Sequence, residues 1–135
     1  MPMVEKTYPA TDESLAKLTA LAEEIMDSND VPMKVSMQVT VAIEEIFVNI
    51  AHYAYEDKEG DAKITIDLTD SKIAITFIDN GVPFNPLEKP DPDITLSADD
   101  RAIGGLGIYM VKKSMTDVDY KYENSQNILT ITKEW

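Results

Sequence analysis

The sequence predicts an α/β sandwich in which three helices cover one face of a mixed, largely antiparallel sheet. Hydrophobic periodicity divides the 135 residues into elements in the order β-α-α-β-β-α-β-β. Short turns join the later strands into hairpins, which are antiparallel, and the helices carry apolar faces that a sheet can cover. We expect a single domain over residues 1–135, with nothing left over for a second one.

The first elements are a strand and two helices. Val4 to Tyr8 is predicted to be a short strand. A helix follows over Asp12 to Asp27, where apolar residues recur at helical spacing. Pro32 lies where a first helical turn tolerates proline, so a second helix is predicted to begin there, with Asp30 as its cap. This helix is predicted to run to about Tyr55.

The first half of the second helix carries two competing patterns. Apolar and polar residues alternate from Val35 to Ile43, which is typical of a strand. From Val39 onward, apolar residues recur at three- and four-residue steps as far as Ala54 and gather on one side of a helical wheel. The second pattern decides, and we predict a helix.

The rest of the chain reads as two hairpins and one helix. Ala62 to Leu68 and Lys72 to Asp79 alternate in hydrophobicity and are joined by an Asp-Ser turn. A helix is predicted over Ile108 to Met115. Val118 to Tyr122 and Ile128 to Thr132 are predicted to form the closing hairpin.

A long loop separates the two hairpins. Four of the seven prolines lie between Gly81 and Gly104, and four of the five glycines lie at the two ends of this stretch. Loops this long are uncommon in compact domains and are often lids over a ligand. We predict a lid at about residues 82–103; an ordinary surface loop is the alternative.

The composition excludes several classes of function. The chain has 12 Lys plus Arg, 25 Asp plus Glu and no cysteine, for a formal charge of −13. This charge opposes nonspecific binding to nucleic acid or anionic membranes, and the absence of cysteine excludes thiol chemistry. The apolar stretches are too short to cross a bilayer, and the first residues lack a signal-peptide pattern. We expect a cytoplasmic protein with no membrane or direct nucleic-acid partner.

Three groups of residues are candidates for chemistry. The first is Glu45 with Asn49, which an i, i+4 spacing stacks on one helix face. A carboxylate beside an amide oxygen could activate a hydroxyl while the amide holds magnesium. For this pair alone, a solvated polar face is the simpler explanation, because polar residues opposite an apolar stripe usually face water.

The second group is the segment from Asp79 to Phe84, at the end of a strand. Asp79 is in phase with the apolar residues of that strand, so alternation predicts an inward side chain that needs a partner. The amino group of a purine would satisfy it, and Gly81 would let the backbone approach a flat ring. The alternative is a simple Asp-Asn-Gly turn.

The third group is a glycine turn directly before the helix that begins at Ile108. Backbone N–H groups in such a turn can bind phosphate, and Arg101, Lys112 and Lys113 are nearby cations. A flexible loop exit is the alternative. The turn comprises Gly104, Gly105, Leu106 and Gly107.

Taken together, the three groups resemble a known family. E-x-x-x-N on a helix, D-x-G-x-P-F after a strand and G-G-L-G-I-Y-M before a helix resemble the motifs of the Bergerat ATP-binding fold, the histidine-kinase-like ATPase superfamily. Within it, the chain most resembles the anti-sigma-factor serine/threonine kinases of bacterial partner-switching systems. The resemblance covers about Tyr8 to Lys133.

The resemblance implies a role for each matching residue. Glu45 matches the catalytic carboxylate, and Asn49 the ligand of Mg²⁺. Asp79 matches the residue that binds the adenine amino group, and Gly81 lies beneath the ring. Gly105 and Gly107 match the glycines at the end of the lid that lie at the phosphates. Arg101 matches a basic residue that reaches the terminal phosphate of ATP.

Two departures concern details of this site. Pro83 stands where the superfamily often has a second glycine, and Tyr53 replaces the histidine that often follows the helix asparagine by four residues. His52 lies one place early.

The resemblance implies an ATP-dependent kinase that phosphorylates a STAS-type anti-anti-sigma protein and alternatively sequesters a sigma factor; a homodimer is implied in the same way. A nucleotide-dependent binding module without phosphotransfer remains the alternative. An acidic domain that binds no nucleotide is a third hypothesis.

Overall fold

The computed structural model describes residues 3–55, 59–88 and 105–135. Its elements follow the predicted order. The helices and strands are β1 (Met3–Pro9), α1 (Asp12–Ser28), α2 (Met33–Asn49), a π-helical segment (Ile50–Ala54), β2 (Asp61–Leu68), β3 (Lys72–Asp79), a 3₁₀ turn (Pro86–Glu88), α3 (Gly105–Ser114), β4 (Asp117–Glu123) and β5 (Gln126–Glu134).

The five strands form one sheet in the order β1-β2-β3-β5-β4. Every pairing in the described part of the sheet is antiparallel, which confirms the predicted α/β sandwich and its largely antiparallel sheet. Alternate residues of β2, β3 and β5 are buried on one face, where the helices pack. The core therefore lies between that face and α1, α2 and α3.

Helix α1 begins at a capped N-terminus. The Thr11 side chain accepts a hydrogen bond from the Ser14 backbone N–H at 3.3 Å, and Asp12 and Glu13 occupy the first turn. Leu18 and Met26 are completely buried on the face toward the core. Capping and apolar spacing together explain why the predicted helix forms.

Residues Met33–Asn49 form helix α2, so the helical spacing and not the alternating pattern describes this segment. Val35, Val39 and Ile43 are buried, whereas Met37 and Val41 are 64% and 54% exposed. A strand would have placed all five on one face, so the burial itself follows the helical period. Helix α2 thus contributes buried apolar side chains to the core, and one of them, Ile46, lines the site described below.

The start of α2 differs from the prediction. Asp30 does not cap this helix: its φ is 58°, in the left-handed region, and Pro32 occupies the N-cap position without a side-chain hydrogen bond. Asp30 instead follows the end of α1, where its backbone N–H donates to the Asp27 carbonyl oxygen at 3.4 Å. The prediction of an Asp30 cap was wrong.

The closing hairpin is tighter than predicted. Asn124 and Ser125 have φ values of 55° and 62°, as in a two-residue hairpin turn, and Glu123 pairs directly with Gln126. Strand β5 therefore begins at Gln126, two residues before the predicted Ile128. This brings Asn127 into the sheet, directly opposite Asp79.

Among the described residues, no helix combines the length and the apolar character needed to span a bilayer.

Candidate functional site

A pocket opens where the C-terminal end of α2 meets the ends of β3 and β5. Its empty volume, including the part open to solvent, is about 380 Å³. Most of the lining is apolar, with three polar side chains from the sheet and one from α2. The lining residues are Ile46, Asn49, Ile50, Ala54, Phe77, Asp79, Phe84, Pro86, Tyr120, Asn127 and Leu129.

Asp79 is the charged group of this pocket. It is the last residue of β3 and only 4% exposed, in the inward orientation that strand alternation predicts. Its Oδ1 atom accepts hydrogen bonds from the Gly81 backbone N–H at 2.9 Å and from Asn127 Nδ2 at 2.8 Å. Within the described residues Oδ2 has no hydrogen-bond partner, so one acceptor atom is left for a ligand.

Burial raises the pKa of the Asp79 carboxyl above its ordinary value, whereas the hydrogen bonds from Asn127 and Gly81 act in the opposite direction. Desolvation is the larger effect. A donor presented to Oδ2 by a ligand would add a third hydrogen bond to the ionised form. The pocket is therefore suited to a neutral ligand group that donates a hydrogen bond.

Asn127 makes four hydrogen bonds, three with residues that line the pocket and one with Val82 beside it. Nδ2 donates to Asp79 Oδ1 and to the Val82 carbonyl oxygen, each at 2.8 Å. Oδ1 accepts from the Phe84 backbone N–H at 3.1 Å and from the Tyr120 hydroxyl. Sequence reasoning missed Asn127, because the only signal for it is the long-range register that pairs it with Asp79.

Gly81 lies directly against the π-helical segment. A Cβ atom at this position would be 2.1 Å from the Ala54 carbonyl oxygen, and that same oxygen accepts a hydrogen bond from the Val82 N–H at 2.7 Å. Only glycine allows this approach. The turn after Asp79 is thus fixed to the end of α2, next to the pocket.

Asn49 and Glu45 occupy successive turns at the end of α2, and both are half-buried. Asn49 lines the pocket with Asp79. Glu45 is outside the pocket lining and instead contacts α3: a Cβ atom on Gly107 would be 1.9 Å from Glu45 Oε2. The structure brings Asn49 to Asp79 and Glu45 to the glycine motif.

The glycine motif belongs to a helix rather than to a turn before it. Helix α3 begins at Gly105, so Gly105, Leu106 and Gly107 form its first turn. The prediction that the helix starts at Ile108 was wrong by three residues. The first N–H groups of a helix have no intrahelical acceptor, so they can bind an anion there. Arg101 and Gly104 lie outside the described residues, as does the predicted lid beyond Glu88.

An aromatic pair lies at the outer side of the pocket. The Tyr53 and Phe84 rings stack with centroids 5.8 Å apart and an interplanar angle of 22°. Phe84 lines the pocket, and Tyr53, half exposed, lies outside it. His52 instead turns toward α1, where its Nε2 is 3.0 Å from Asp12 Oδ1. Hydrophobic periodicity gave no signal for the Tyr53–Phe84 pair.

Tyr55 joins the strand ends beside the pocket. Its hydroxyl donates to the Asp61 carbonyl oxygen and accepts from the Asn80 N–H at 2.9 Å. Burial is the main cause that raises the pKa of Tyr55. Gly60 packs against the ring, since a Cβ there would be 2.3 Å from it.

These features define a class of protein. Residues 8–133 match the family model described as the histidine kinase-like ATPase domain. The match covers nearly the whole chain, which therefore belongs to the histidine kinase-like ATPase family.

The chain is also similar to serine-protein kinases named RsbW. A serine-protein kinase RsbW of Bacillus thuringiensis is 30% identical over 93 residues, which are 66% of this chain and 58% of the relative. An RsbW of Bacillus cereus is 25% identical over 130 residues, or 93% of this chain and 81% of the relative. With most of the RsbW sequences the alignment spans less than two thirds of the relative's length.

A solved structure supports the same fold. It contains the RsbU and RsbW domains of a Mycobacterium tuberculosis protein and superposes with a TM-score of 0.70. The match covers 99% of this chain and 32% of the other, at 16% identity. At this identity the likeness concerns the fold alone.

Proposed function

We propose that this chain is an ATP-dependent protein serine/threonine kinase that phosphorylates a STAS-type anti-anti-sigma protein and acts as an anti-sigma factor. One observation carries the proposal: Asp79 is buried in an apolar pocket, and among the residues that the structure describes its Oδ2 atom has no hydrogen-bond partner. The 6-amino group of adenine is a neutral hydrogen-bond donor of the kind that this oxygen can accept from. A buried carboxylate acceptor discriminates against purines that lack the donor, because it would then remain unpaired.

Residues of the pocket and of the start of α3 are assigned to the base, the metal ion and the phosphates of the nucleotide. Ile46, Ile50 and Leu129 supply apolar walls for the base. Asn49 lines the same pocket and has a side-chain amide oxygen. Mg²⁺ accepts such an oxygen as a ligand together with phosphate oxygens. The backbone N–H groups at the start of α3 would bind the phosphates, and we assign Gly105, Leu106 and Gly107 to this role, with Gly104 and Arg101 as proposed neighbours.

Glu45 is the proposed general base. When bound, Mg-ATP supplies the transferable phosphoryl group and the metal charge that stabilises it. The partner's hydroxyl oxygen forms the new bond to the γ-phosphorus as the bond to the β-phosphate oxygen breaks, and ADP leaves. Glu45 accepts the proton of that hydroxyl. The contact of Glu45 with Gly107 supports this assignment, because Gly107 belongs to the proposed phosphate site.

The chain's charge of −13 supports release of the product. A phosphoserine carries about −1.5 to −2 charges at neutral pH, so an acidic surface repels it more than the unmodified hydroxyl. The partner would leave once it is phosphorylated. A sigma factor as the second partner and a homodimer belong to the same proposal and rest on the family resemblance.

The test measures phosphate transfer from Mg-ATP to a purified STAS-type partner. Glu44 provides a matched control, because it neighbours Glu45 on α2 but is exposed. Glu45→Ala should lower transfer by roughly 100-fold or more, the usual contribution of a general base, with ATP affinity nearly unchanged. Glu44→Ala should have no effect.

Two results would change this conclusion. Transfer that survives Glu45→Ala removes the base assignment. A wild-type chain that binds Mg-ATP and the partner but transfers no phosphate is a nucleotide-dependent binding module instead.

A further inference from the structure

Asn127 lines the proposed base pocket, yet its side chain has no hydrogen-bonding capacity to spare. A side-chain amide has two N–H donors and one oxygen with two lone pairs. Both donors are used by Asp79 and Val82, and both lone pairs by Phe84 and Tyr120. A base in the pocket would therefore meet Asn127 only as a van der Waals surface.

The four bonds join the two sides of the pocket. Asp79 is the charged group at the end of β3, whereas Phe84 lines the outer side of the pocket and Val82 precedes it by two residues. Because the two residues on the outer side are held through their backbone atoms, Asn127 fixes the path of the chain there as well as a side chain. Asn127 itself is fixed by its place in β5, directly opposite Asp79.

The arrangement also decides which Asp79 oxygen faces a ligand. Asn127 Nδ2 and the Gly81 N–H both bond to Oδ1, which holds the carboxylate in one orientation and leaves Oδ2 available. Without Asn127, Oδ1 would keep a single donor and the carboxylate would gain freedom to rotate. It would then present its acceptor to a ligand for only part of the time.

We propose that Asn127 is a positioning residue that sets the base selectivity of the nucleotide site without contacting the base by hydrogen bonds. It aligns Asp79 Oδ2 with the 6-amino group and holds Phe84 as the outer wall. This inference rests on the proposed function, since it assigns Asn127 to the same nucleotide pocket.

The experiment compares dissociation constants for Mg-ATP and for the magnesium complex of purine riboside triphosphate, which lacks the 6-amino group. Their ratio isolates the hydrogen bond to Asp79, and a general loss of stability would weaken both ligands equally. Wild type should prefer ATP by about tenfold or more, as expected for a hydrogen bond to a charged group. Asn127→Ala should reduce this preference to less than about threefold.

Two further variants sharpen the result. Thr130→Ala is the matched control on β5: Thr130 Oγ1 lies 3.1 Å from Thr76 Oγ1, away from the pocket lining, and its loss should leave the preference unchanged. Asn127→Thr keeps a strand-forming residue with one hydroxyl donor, so it guards against a misfolded alanine variant. Its preference should fall between those of wild type and Asn127→Ala.

Amide exchange gives a second readout, on the outer wall. The Phe84 N–H bonds to Asn127 Oδ1, so its exchange should accelerate at least tenfold in Asn127→Ala and stay slow in Thr130→Ala. An ATP preference within twofold of wild type in both Asn127 variants would overturn the inference. A wild-type chain that binds neither nucleotide would instead contradict the proposed function.

Discussion

The Glu45 carboxylate occupies the space that a side chain at Gly107 would need. A Cβ atom at that position would be 1.9 Å from Oε2 and 2.3 Å from the carboxyl carbon of Glu45. The end of α2 and the first turn of α3 therefore approach each other at a carboxylate and a glycine. This contact joins two motifs that are 62 residues apart in the sequence. It also gives the glycine a steric role besides any role toward phosphate.

Gly107→Ala tests this contact through the sign of its effect on stability. In a helix with free space, replacing glycine by alanine stabilises by up to about 1 kcal/mol. Here the new methyl group overlaps the end of the Glu45 side chain, which must move away from α3, so we expect a net destabilisation of up to about 1 kcal/mol instead of this gain, measured by urea unfolding.

A second substitution serves as the control for this prediction. In a Glu45→Ala background the obstacle is gone, so Gly107→Ala should be neutral or stabilising there. The two substitutions should thus be strongly non-additive. Additive effects would show that the two residues are not in contact.

Asp79→Asn should separate folding stability from nucleotide recognition. The asparagine oxygen can still accept from Gly81 and Asn127, while a buried charge is removed, so the free energy of unfolding near neutral pH should stay equal or rise. The amide would present N–H groups to the adenine amino group, which is also a donor, and ATP binding should fall at least tenfold. Unfolding curves with and without Mg-ATP check both effects. A large loss of stability without nucleotide would contradict this reading of Asp79.

The pH dependence of stability follows from the same carboxyl group. Its pKa is raised in the folded state above the value of about 4 for an ordinary aspartate, so the folded state holds the proton more tightly than the unfolded state. The stabilisation from this proton is complete below the unfolded pKa and disappears as the pH rises through the folded pKa. Wild type should therefore lose stability relative to Asp79→Asn as the pH increases above about 4. Parallel stability profiles for the two proteins would contradict the shift.

Val39 and Val41 form a matched pair that tests the helical assignment of α2. Val39 is 1% exposed and Val41 is 54% exposed, although a strand would place both on the same face. Val39→Thr buries a hydroxyl and should destabilise by about 1–3 kcal/mol, whereas Val41→Thr should stay within about 0.5 kcal/mol of wild type. Denaturant unfolding measures both. An equal loss of unfolding free energy in the two variants would contradict the helical assignment and favour the strand pattern.

Gly81→Ala and Gly60→Ala differ in what the new methyl group would meet. At Gly81 the obstacle is the Ala54 backbone, and at Gly60 it is the Tyr55 ring, which has more freedom to move. Gly81→Ala should be the more destabilising, by about 1–3 kcal/mol, and should also weaken Mg-ATP binding. If Gly60→Ala lowers the free energy of unfolding more than Gly81→Ala does, this would contradict the close contact of Gly81 with the Ala54 backbone.

Local patterns in the sequence predicted the order of the elements and the inward direction of Asp79. Both depend on periodicity within one segment, which a single sequence contains. The same holds for α2, where the helical spacing from Val39 onward outweighed an alternating pattern. Local reasoning was weaker at element ends: it misplaced the start of α3, and it assigned a cap to Asp30, whose backbone is left-handed.

The features that sequence reasoning missed are all long-range. Asn127 belongs to the site because a two-residue turn at Asn124 and Ser125 sets the register of β5, which then pairs with β3. The stacking of Tyr53 on Phe84 joins the π-helical segment to the chain after β3. Neither contact leaves a periodic signal in the segments that form it. The roles of Glu45, Asn49 and the glycines toward ATP remain predictions.

Calorimetric titration of the wild-type chain with Mg-ATP and with Mg-GTP tests the central claim most directly, with Asp79→Ala measured in parallel. The account predicts saturable binding of one ATP per chain, at least about tenfold tighter than GTP, and loss of that preference in Asp79→Ala. No saturable ATP binding by the wild-type chain, or equal affinity for the two nucleotides, would contradict it.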